Sequence, residues 1–181
     1  MRTLIVYYSY TFNNEKLAKV LQQKVHGDIL KIEELKKRTA FTFMLDLLFG
    51  RHPAIKTDAC LLADYDHVIF VAPIWAGQVA SPLKTFLAGE KQKIKSWSFI
   101  TACGGSGQTT KIKNQLFKIV GSDPIAVAEL PLSELLAASN NRVNTTSYRL
   151  TDDDFAFFRL KLEHFLTTNG MPLALVTIET D

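Results

Sequence analysis

A chain of 181 residues, 47% hydrophobic and 22% charged, is long enough for one domain with a substantial core, so we expect a single domain over residues 1–181. A net charge of +3, without a long basic run, argues against a nucleic-acid partner. Two cysteines exclude a disulfide scaffold, four scattered histidines predict no metal site, and no apolar run approaches the ~20 residues that span a bilayer. The N-terminus does not read as a signal peptide, so we predict a cytoplasmic protein.

Apolar stretches and helical patterns alternate along the chain. Strands are predicted at residues 4–8, 29–32, 67–72, 97–102 and around 125–127. Helices are predicted at residues 14–25, 82–89, 109–120 and 153–168. The run at 68–71 is continuously apolar, which is typical of a strand covered on both faces. This alternation predicts an α/β fold with a parallel sheet and helices on both of its faces.

Three stretches do not fit the alternation. The insert at about 36–57 contains an apolar run and predicts a short extra helix, which would wall a substrate pocket or form a dimer interface. Residues 131–150 predict an irregular connection. The apolar tail at 171–178 predicts an edge strand or a homodimer contact.

Three loops follow the first, third and fourth predicted strands, at residues 9–14, 73–80 and 103–108. Ligands of parallel α/β sheets bind beyond the carboxyl ends of the strands, so these loops are expected to carry the function. The first loop offers Ser9, Thr11, Asn13 and Asn14 as neutral donors just before a helix, and it contains no Lys or Arg. This pattern predicts a site for a phosphate that is held rather than transferred.

The second and third loops are suited to a flat ring. Trp75 would supply an aromatic wall, and Gly77 would allow close backbone approach, although Trp75 packed in the core is an open alternative. The glycines of residues 103–107 suggest backbone amides that face a ligand edge, with a plain flexible turn as the alternative. Together the three loops describe a pocket for a mononucleotide.

Other chemistries of α/β folds lack their motifs here. A P-loop requires G-x-x-x-x-G-K-[ST], and a hydrolase elbow requires G-x-S-x-G; around Ser106 the latter fails at Gln108. The first loop lacks the Cys and Arg of a cysteine phosphatase, and Ala72-Pro73 stands where a receiver domain has an Asp. No base is placed beside Cys103, so a catalytic thiol is not predicted.

Over almost its whole length the chain resembles the flavodoxin-like family of FMN proteins, in the branch of NAD(P)H-dependent oxidoreductases. The family's phosphate loop reads Ser/Thr-x-Thr-Gly-Asn-Thr; Ser9, Thr11 and Asn13 are in register with it, while Phe12 replaces Gly and Asn14 replaces Thr. The stretches 73–77 with 81–87, and 103–107, are similar to the family's two flavin loops.

The resemblance implies a three-layer flavodoxin-like sandwich with a five-stranded parallel sheet in the order 2-1-3-4-5. It implies FMN as cofactor, NAD(P)H as electron donor and a quinone or other small molecule as acceptor, with the flavin carrying the chemistry. An electron carrier that docks on a redox partner protein and a flavin-free binding module stay open as alternatives. The implied cofactor-binding residues are Ser9, Tyr10, Thr11, Phe12, Asn13, Asn14, Pro73, Ile74, Trp75, Ala76, Gly77, Cys103, Gly104, Gly105 and Gly107.

Overall fold

A five-stranded parallel sheet forms the centre of the computed structural model, which describes residues 1–35, 53–57 and 62–171. In chain order, the strands within these residues are β1 Thr3–Tyr7, β2 Asp28–Lys31, β3 Glu33–Glu34, β4 Ile55–Lys56, β5 His67–Val71, β6 Ile74–Trp75, β7 Gln78–Val79, β8 Trp97–Cys103 and β9 Val127–Pro131. The α-helices within them are α1 Asn13–Val25, α2 Ser81–Glu90, α3 Thr109–Val120, α4 Leu132–Ala138, α5 Asp154–Phe157 and α6 Arg159–Thr168.

The order of strands in the central sheet is β2-β1-β5-β8-β9, and all neighbouring pairs are parallel. These are the five predicted strands in the predicted order 2-1-3-4-5, so the prediction of the architecture is confirmed. The direction of winding reverses between β1 and β5, where Tyr7 is in register with Val71. A ligand crevice is expected at the carboxyl ends of strands beside such a switch point.

Each face of the sheet has its own apolar core, because successive strand residues point to opposite faces. Leu4, Val6 and Phe70 pack on one face with side chains of α2 and α3. Ile5 and Ile69 pack on the other face with side chains of α1 and α6. Every residue of β1 and β5 is buried, which for β5 confirms the prediction from the continuous apolar run at 68–71. The two helical layers cover the central strands β1 and β5, so a ligand can reach these strands only at their ends.

Several predicted boundaries are wrong for physical reasons. The fifth strand covers Val127–Pro131 rather than 125–127, and Ile125 is exposed. The first three residues of β9 are only half-buried, so the strand can contain the charged residue Glu129. The predicted irregular connection contains α4, whose single apolar face over seven residues is too short to give a clear periodicity. The predicted helix at 153–168 is interrupted at Phe158, which is fully buried and leaves helical geometry.

The structure describes the insert only at residues 53–57. Glu33–Glu34 pairs antiparallel with Ile55–Lys56, so residues 55–56 are extended rather than helical. The apolar run for which the short extra helix of the 36–57 insert was predicted lies outside the described residues, and so does the tail beyond Met171, which was predicted as an edge strand or a dimer contact. None of the helices in the described ranges has the length and apolar character needed to cross a membrane.

Candidate functional site

A pocket of about 470 Å³ lies at the carboxyl ends of β1 and β8, beside the switch point. The three predicted loops line it with Tyr10, Thr11, Asn13, Asn14, Pro73, Ile74, Trp75, Cys103 and Gly104. Its remaining walls are Ala102, Leu132, Thr145 and Thr146. All of these lining residues are uncharged. The fold thus brings nine of the fifteen predicted cofactor-binding residues to one pocket.

The other six predicted residues, Ser9, Phe12, Ala76, Gly77, Gly105 and Gly107, do not line this pocket. Phe12 is 68% exposed and borders a separate surface groove with Lys16 and Lys19. Ala76 and Gly77 form the turn behind Trp75. Gly107 faces Glu129 through its backbone. These residues do not form the pocket wall, although Ser9 directly precedes the lining residue Tyr10.

The first loop passes into α1 through a left-handed residue. Phe12 has φ 67° and ψ −14° and is the N-cap of α1, where it forms no side-chain cap. A left-handed conformation is costly for a bulky side chain, which explains why the family's loop has Gly at this position. Since Phe has no side-chain acceptor, the first amides of α1 receive no cap from it. The positive end of the helix macrodipole is thus left facing the pocket region.

Ser9 lies directly before this turn, and its hydroxyl is unusual. The Oγ atom is buried, and it has no hydrogen-bond partner among the described residues. A buried hydroxyl without a partner is unfavourable by about 1–3 kcal/mol, so such groups generally have a ligand or a water. The hydroxyl fits an anionic ligand oxygen at this loop.

The side chains of Asn13 and Asn14, predicted as free donors, are bound to distant backbone instead. Asn14 donates to the carbonyl of Ala102 at 3.0 Å and accepts from the Ala102 N–H at 2.9 Å. Asn13 donates to the carbonyl of Tyr148 at 2.9 Å and accepts from the N–H of Leu150 at 3.0 Å. Both asparagines are buried. They tie the first turn of α1 to the end of β8 and to the segment before α5.

The second loop is a β-hairpin with a two-residue turn. Ile74 pairs with Val79 and Trp75 pairs with Gln78, while Ala76 and Gly77 take φ 47° and 73°. Positive φ at both central residues is the signature of a type I′ turn, which favours Gly at the second position and strains Ala at the first. The hairpin presents Trp75 to the pocket.

Trp75 is half-buried, so both readings of this residue hold in part. Its ring meets Tyr8 edge-on at 5.8 Å between centroids and Tyr10 edge-on at 6.3 Å, and it packs partly against the core. Tyr8 in turn donates to Glu34 at 2.6 Å. An aromatic side chain in a pocket wall can pack against a flat ligand.

Gln115 of α3 holds the hairpin in place. Its Nε2 donates to the carbonyl of Gly77 at 2.8 Å, and its Oε1 accepts from the N–H of Val79 at 3.2 Å. A second contact comes from α2, where Lys84 donates to Gln78 at 2.7 Å. Sequence reasoning missed Gln115, because it lies on a helix 36 residues beyond Val79.

The third loop presents only its first part to the pocket. The carboxylate of Glu129 accepts from the N–H of Gly107 and from the N–H of Gln108, both at 2.8 Å. The amide of Gly107 was predicted to face a ligand, and it is satisfied by the protein itself. Gly104 lines the pocket, and a Cβ at this position would lie 3.3 Å from Oγ1 of Thr145.

Cys103 is buried in the pocket wall, and its thiol donates to the carbonyl of Gly105 at 3.1 Å. Burial, with a further contribution from the carboxylate of Glu129, raises the pKa of the thiol to about 12. The thiol is therefore protonated at neutral pH and is not an activated nucleophile.

Thr145 and Thr146 were not predicted as site residues. They belong to a segment that the sequence analysis treated as an irregular connection, and they are brought to the pocket by the bonds from Asn13. One local signal exists: Asn144 Oδ1 accepts from the N–H and the hydroxyl of Thr146, both at 3.0 Å. An Asn followed two residues later by Thr is typical of such an ordered turn.

No family model and no curated protein matches the chain. Solved structures do match it. A flavoprotein from Lactobacillus acidophilus NCFM in complex with FMN has 22% sequence identity and a TM-score of 0.63, with coverage of 76% of this chain and 98% of that chain. A candidate flavoprotein from Bacteroides eggerthii DSM 20697 has 21% identity and a TM-score of 0.61, with coverage of 89% and 98%.

A candidate quinone reductase from Klebsiella pneumoniae has 10% identity and a TM-score of 0.53, with coverage of 93% of this chain and 85% of that chain. At these identities the likeness is one of fold. The fold of this chain is flavodoxin-like.

Proposed function

We propose that this chain is a redox protein that binds FMN in the pocket and uses electrons from NAD(P)H to reduce a quinone or another small acceptor. The observation that carries the proposal is that one pocket joins all three predicted loops, with polar groups near the start of α1 and Trp75 on the hairpin. The Lactobacillus flavoprotein of the same fold was solved with FMN, and the Klebsiella protein is a candidate quinone reductase, which supports both parts of the proposal.

The phosphate of FMN would be held at the first loop. Ser9 has the unpartnered buried hydroxyl, Thr11 adds a second hydroxyl in the pocket wall, and α1 begins without a side-chain cap. Neutral donors and a helix N-terminus stabilise a phosphate that is held without being transferred. The residues present therefore fit the phosphate end of the cofactor.

The ring would lie against the second and third loops. Pro73, Ile74 and Trp75 form an apolar wall that excludes water from a ring, and Gly104 lets the ring approach the backbone. FMN, when bound, supplies the reversible transfer of hydride and electrons. We assign no proton transfer to a side chain, since the thiol of Cys103 stays protonated.

The first experiment is a visible absorption spectrum of the purified protein, before and after addition of FMN and desalting. We expect a flavin spectrum that is retained on desalting and is released as FMN on denaturation. The loaded protein is then expected to oxidise NADH or NADPH in the presence of a quinone. A colourless protein that does not retain FMN would contradict the proposal and favour a flavin-free binding module.

Ser9→Ala tests the phosphate end, with Ser106→Ala as the matched control in the third loop, where Ser106 is exposed. Loss of one hydrogen bond to a charged group is expected to weaken FMN binding by about tenfold, or roughly 1.4 kcal/mol. Lumiflavin, which has the ring without the ribityl phosphate, should bind both variants as it binds the wild type. Unchanged FMN affinity in Ser9→Ala would contradict this placement of the phosphate.

An electron carrier is the second candidate. Tyr10 and Phe12, 59% and 68% exposed, lie on the first loop and offer apolar surface to a redox partner protein. The net charge of +3 argues against it, since strong net charge is what steers a carrier to its partner. Retained FMN without NAD(P)H oxidation would favour the carrier over the reductase.

A further inference from the structure

A segment at residues 144–150, here called the threonine strap, forms a wall of the pocket that none of the three loops supplies. Thr145 and Thr146 of the strap line the pocket together with Thr11 and Asn13 of the first loop. The hydroxyl oxygen of Thr145 lies 3.3 Å from the point where a Cβ would stand on Gly104. The strap therefore reaches the third loop. A side chain at position 104 would come too close to the hydroxyl of Thr145, so glycine suits this position.

The strap is held in this position by Asn13. Its side-chain amide donates to the carbonyl of Tyr148 at 2.9 Å and accepts from the N–H of Leu150 at 3.0 Å. Asn13 is 4% exposed, and Leu150 is buried in the core beneath α1. A buried asparagine that binds a carbonyl and an N–H of the strap at once fixes the distance between its own helix turn and the strap.

The strap also has an ordered internal structure. The carbonyl of Asn144 accepts from the N–H groups of Ser147 and Tyr148, at 2.9 and 3.0 Å. Arg149 donates to the carbonyls of Thr146 and Tyr148, at 3.1 and 3.0 Å. These bonds form within the strap itself, so its shape does not depend on a ligand.

Within this ordered segment the two threonines differ. The hydroxyl of Thr146 already donates to Oδ1 of Asn144 at 3.0 Å. The hydroxyl of Thr145 makes no hydrogen bond to any residue of the described ranges, although the residue is half-buried in the pocket wall. A hydroxyl in that position is a donor and an acceptor for a bound polar group.

We infer that Thr145 contacts the ribityl phosphate tail of the flavin, and that Asn13 is a positioning residue that holds Thr145 there. The assignment rests on the proposed FMN site. Asn13 ties the strap to the first turn of α1, which is the end of the pocket assigned to the phosphate. Thr145 reaches from the strap to Gly104, which is assigned to the ring, so its hydroxyl lies between the two ends, where the ribityl tail would pass. Asn13 thus acts through the strap, since both heteroatoms of its side chain already bind backbone.

Binding titrations with FMN and with lumiflavin test this assignment. Thr145→Val keeps the shape of the side chain and removes the hydroxyl, so we expect it to weaken FMN binding about tenfold and to leave lumiflavin binding unchanged. Thr151→Val is the matched control, because Thr151 is exposed directly after the strap and outside the pocket. It should bind both ligands as the wild type does.

The role of Asn13 is tested by combining the two substitutions. If Asn13 acts by holding the strap, Thr145→Val should change FMN affinity less than twofold in an Asn13→Ala background, because the threonine is no longer held in place. A second contact between Asn13 and the ligand, independent of the strap, would instead give additive effects and overturn the positioning role. Thermal melts identify whether Asn13→Ala is folded, and the Thr145 single variant decides the contact in any case.

Two results would overturn the contact itself. One is unchanged FMN affinity in Thr145→Val, and the other is an equal loss of FMN and lumiflavin affinity, which would place the threonine against the ring. A wild-type protein that binds lumiflavin but gains nothing from the tail of FMN would also overturn it. A wild-type protein that binds no flavin would instead refute the proposed function, and this inference with it.

Discussion

The position of the Trp75 hairpin depends on one glutamine, and this dependence gives a quantitative prediction. Gln115 bonds the carbonyl of Gly77 at 2.8 Å and the N–H of Val79 at 3.2 Å. Gln115→Leu removes both bonds while keeping a side chain of similar size and good helix propensity. At about 1 kcal/mol for each hydrogen bond, the free energy of unfolding should fall by about 2 kcal/mol.

In a chain of this size, 1 kcal/mol corresponds to roughly 2–4 °C in Tm, so the melting temperature should fall by about 4–8 °C. A loosened hairpin also displaces Trp75 from the ring end of the pocket, so FMN and lumiflavin should both bind more weakly. This joint loss differs from the selective loss of FMN affinity expected for Thr145→Val. Circular dichroism melts and flavin titrations measure the two effects.

Asn114→Leu is the matched control, since Asn114 is the neighbouring amide on α3 and is exposed. It should leave stability and flavin binding unchanged. A Gln115→Leu protein as stable as the wild type would refute the claim that the two bonds hold the hairpin. A destabilised Gln115→Leu protein with unchanged lumiflavin affinity would show that Trp75 does not form the wall against the ring.

Three further predictions concern stability and reactivity. Ala76→Asn should raise the free energy of unfolding by about 1 kcal/mol in urea titrations, because Asn tolerates the φ of 47° that strains Ala before Gly77; a loss of stability would contradict the type I′ turn. Burial lowers the pKa of His67 from 6.5 to about 4, so the unfolded chain binds more protons between these values. Stability is therefore full above pH 6.5 and should fall by about 3 kcal/mol towards pH 4. His67→Gln, which can keep a hydrogen bond to Ser96, should remove that part of the pH dependence. An unchanged pH profile in this variant would show that His67 is not the cause of the loss of stability. Cys103, with its raised pKa, should resist iodoacetamide at pH 8 until denaturant is added, as followed by peptide mass mapping; prompt alkylation of the native protein would argue against the buried thiol.

The elements that the sequence predicted well are those with a strong local signal. β1 and β5 are buried at every position, so their apolar runs stand out, and the polar turn after β1 and Pro73 after β5 mark the loops. The edge strand β9 is half-buried over its first three residues, and its pattern is correspondingly weak. Where the chain is apolar on one side only, or for a few residues only, the local sequence does not define the element.

The sequence predicted where the site lies, but it did not predict the hydrogen-bond partners of the residues in it. The pattern at residues 9–14 identifies amide side chains at the right place, but their partners lie 88 and 135 residues away in the chain. No local pattern contains that information. Thr145 was missed for the same reason, since Asn13 brings its segment to the pocket from the far end of the domain.

The carboxylate of Glu129 has a consequence for how a ligand would approach. It occupies the N–H groups of Gly107 and Gln108, which begin α3, with the protein's own negative charge. The start of α1 receives no comparable cap. Of the two helix starts, an anion is therefore favoured at the first loop, where no side chain caps the helix, over the third, where a carboxylate already does. A molecule with one anionic end and one apolar end would be turned into a single orientation before it makes its first contact.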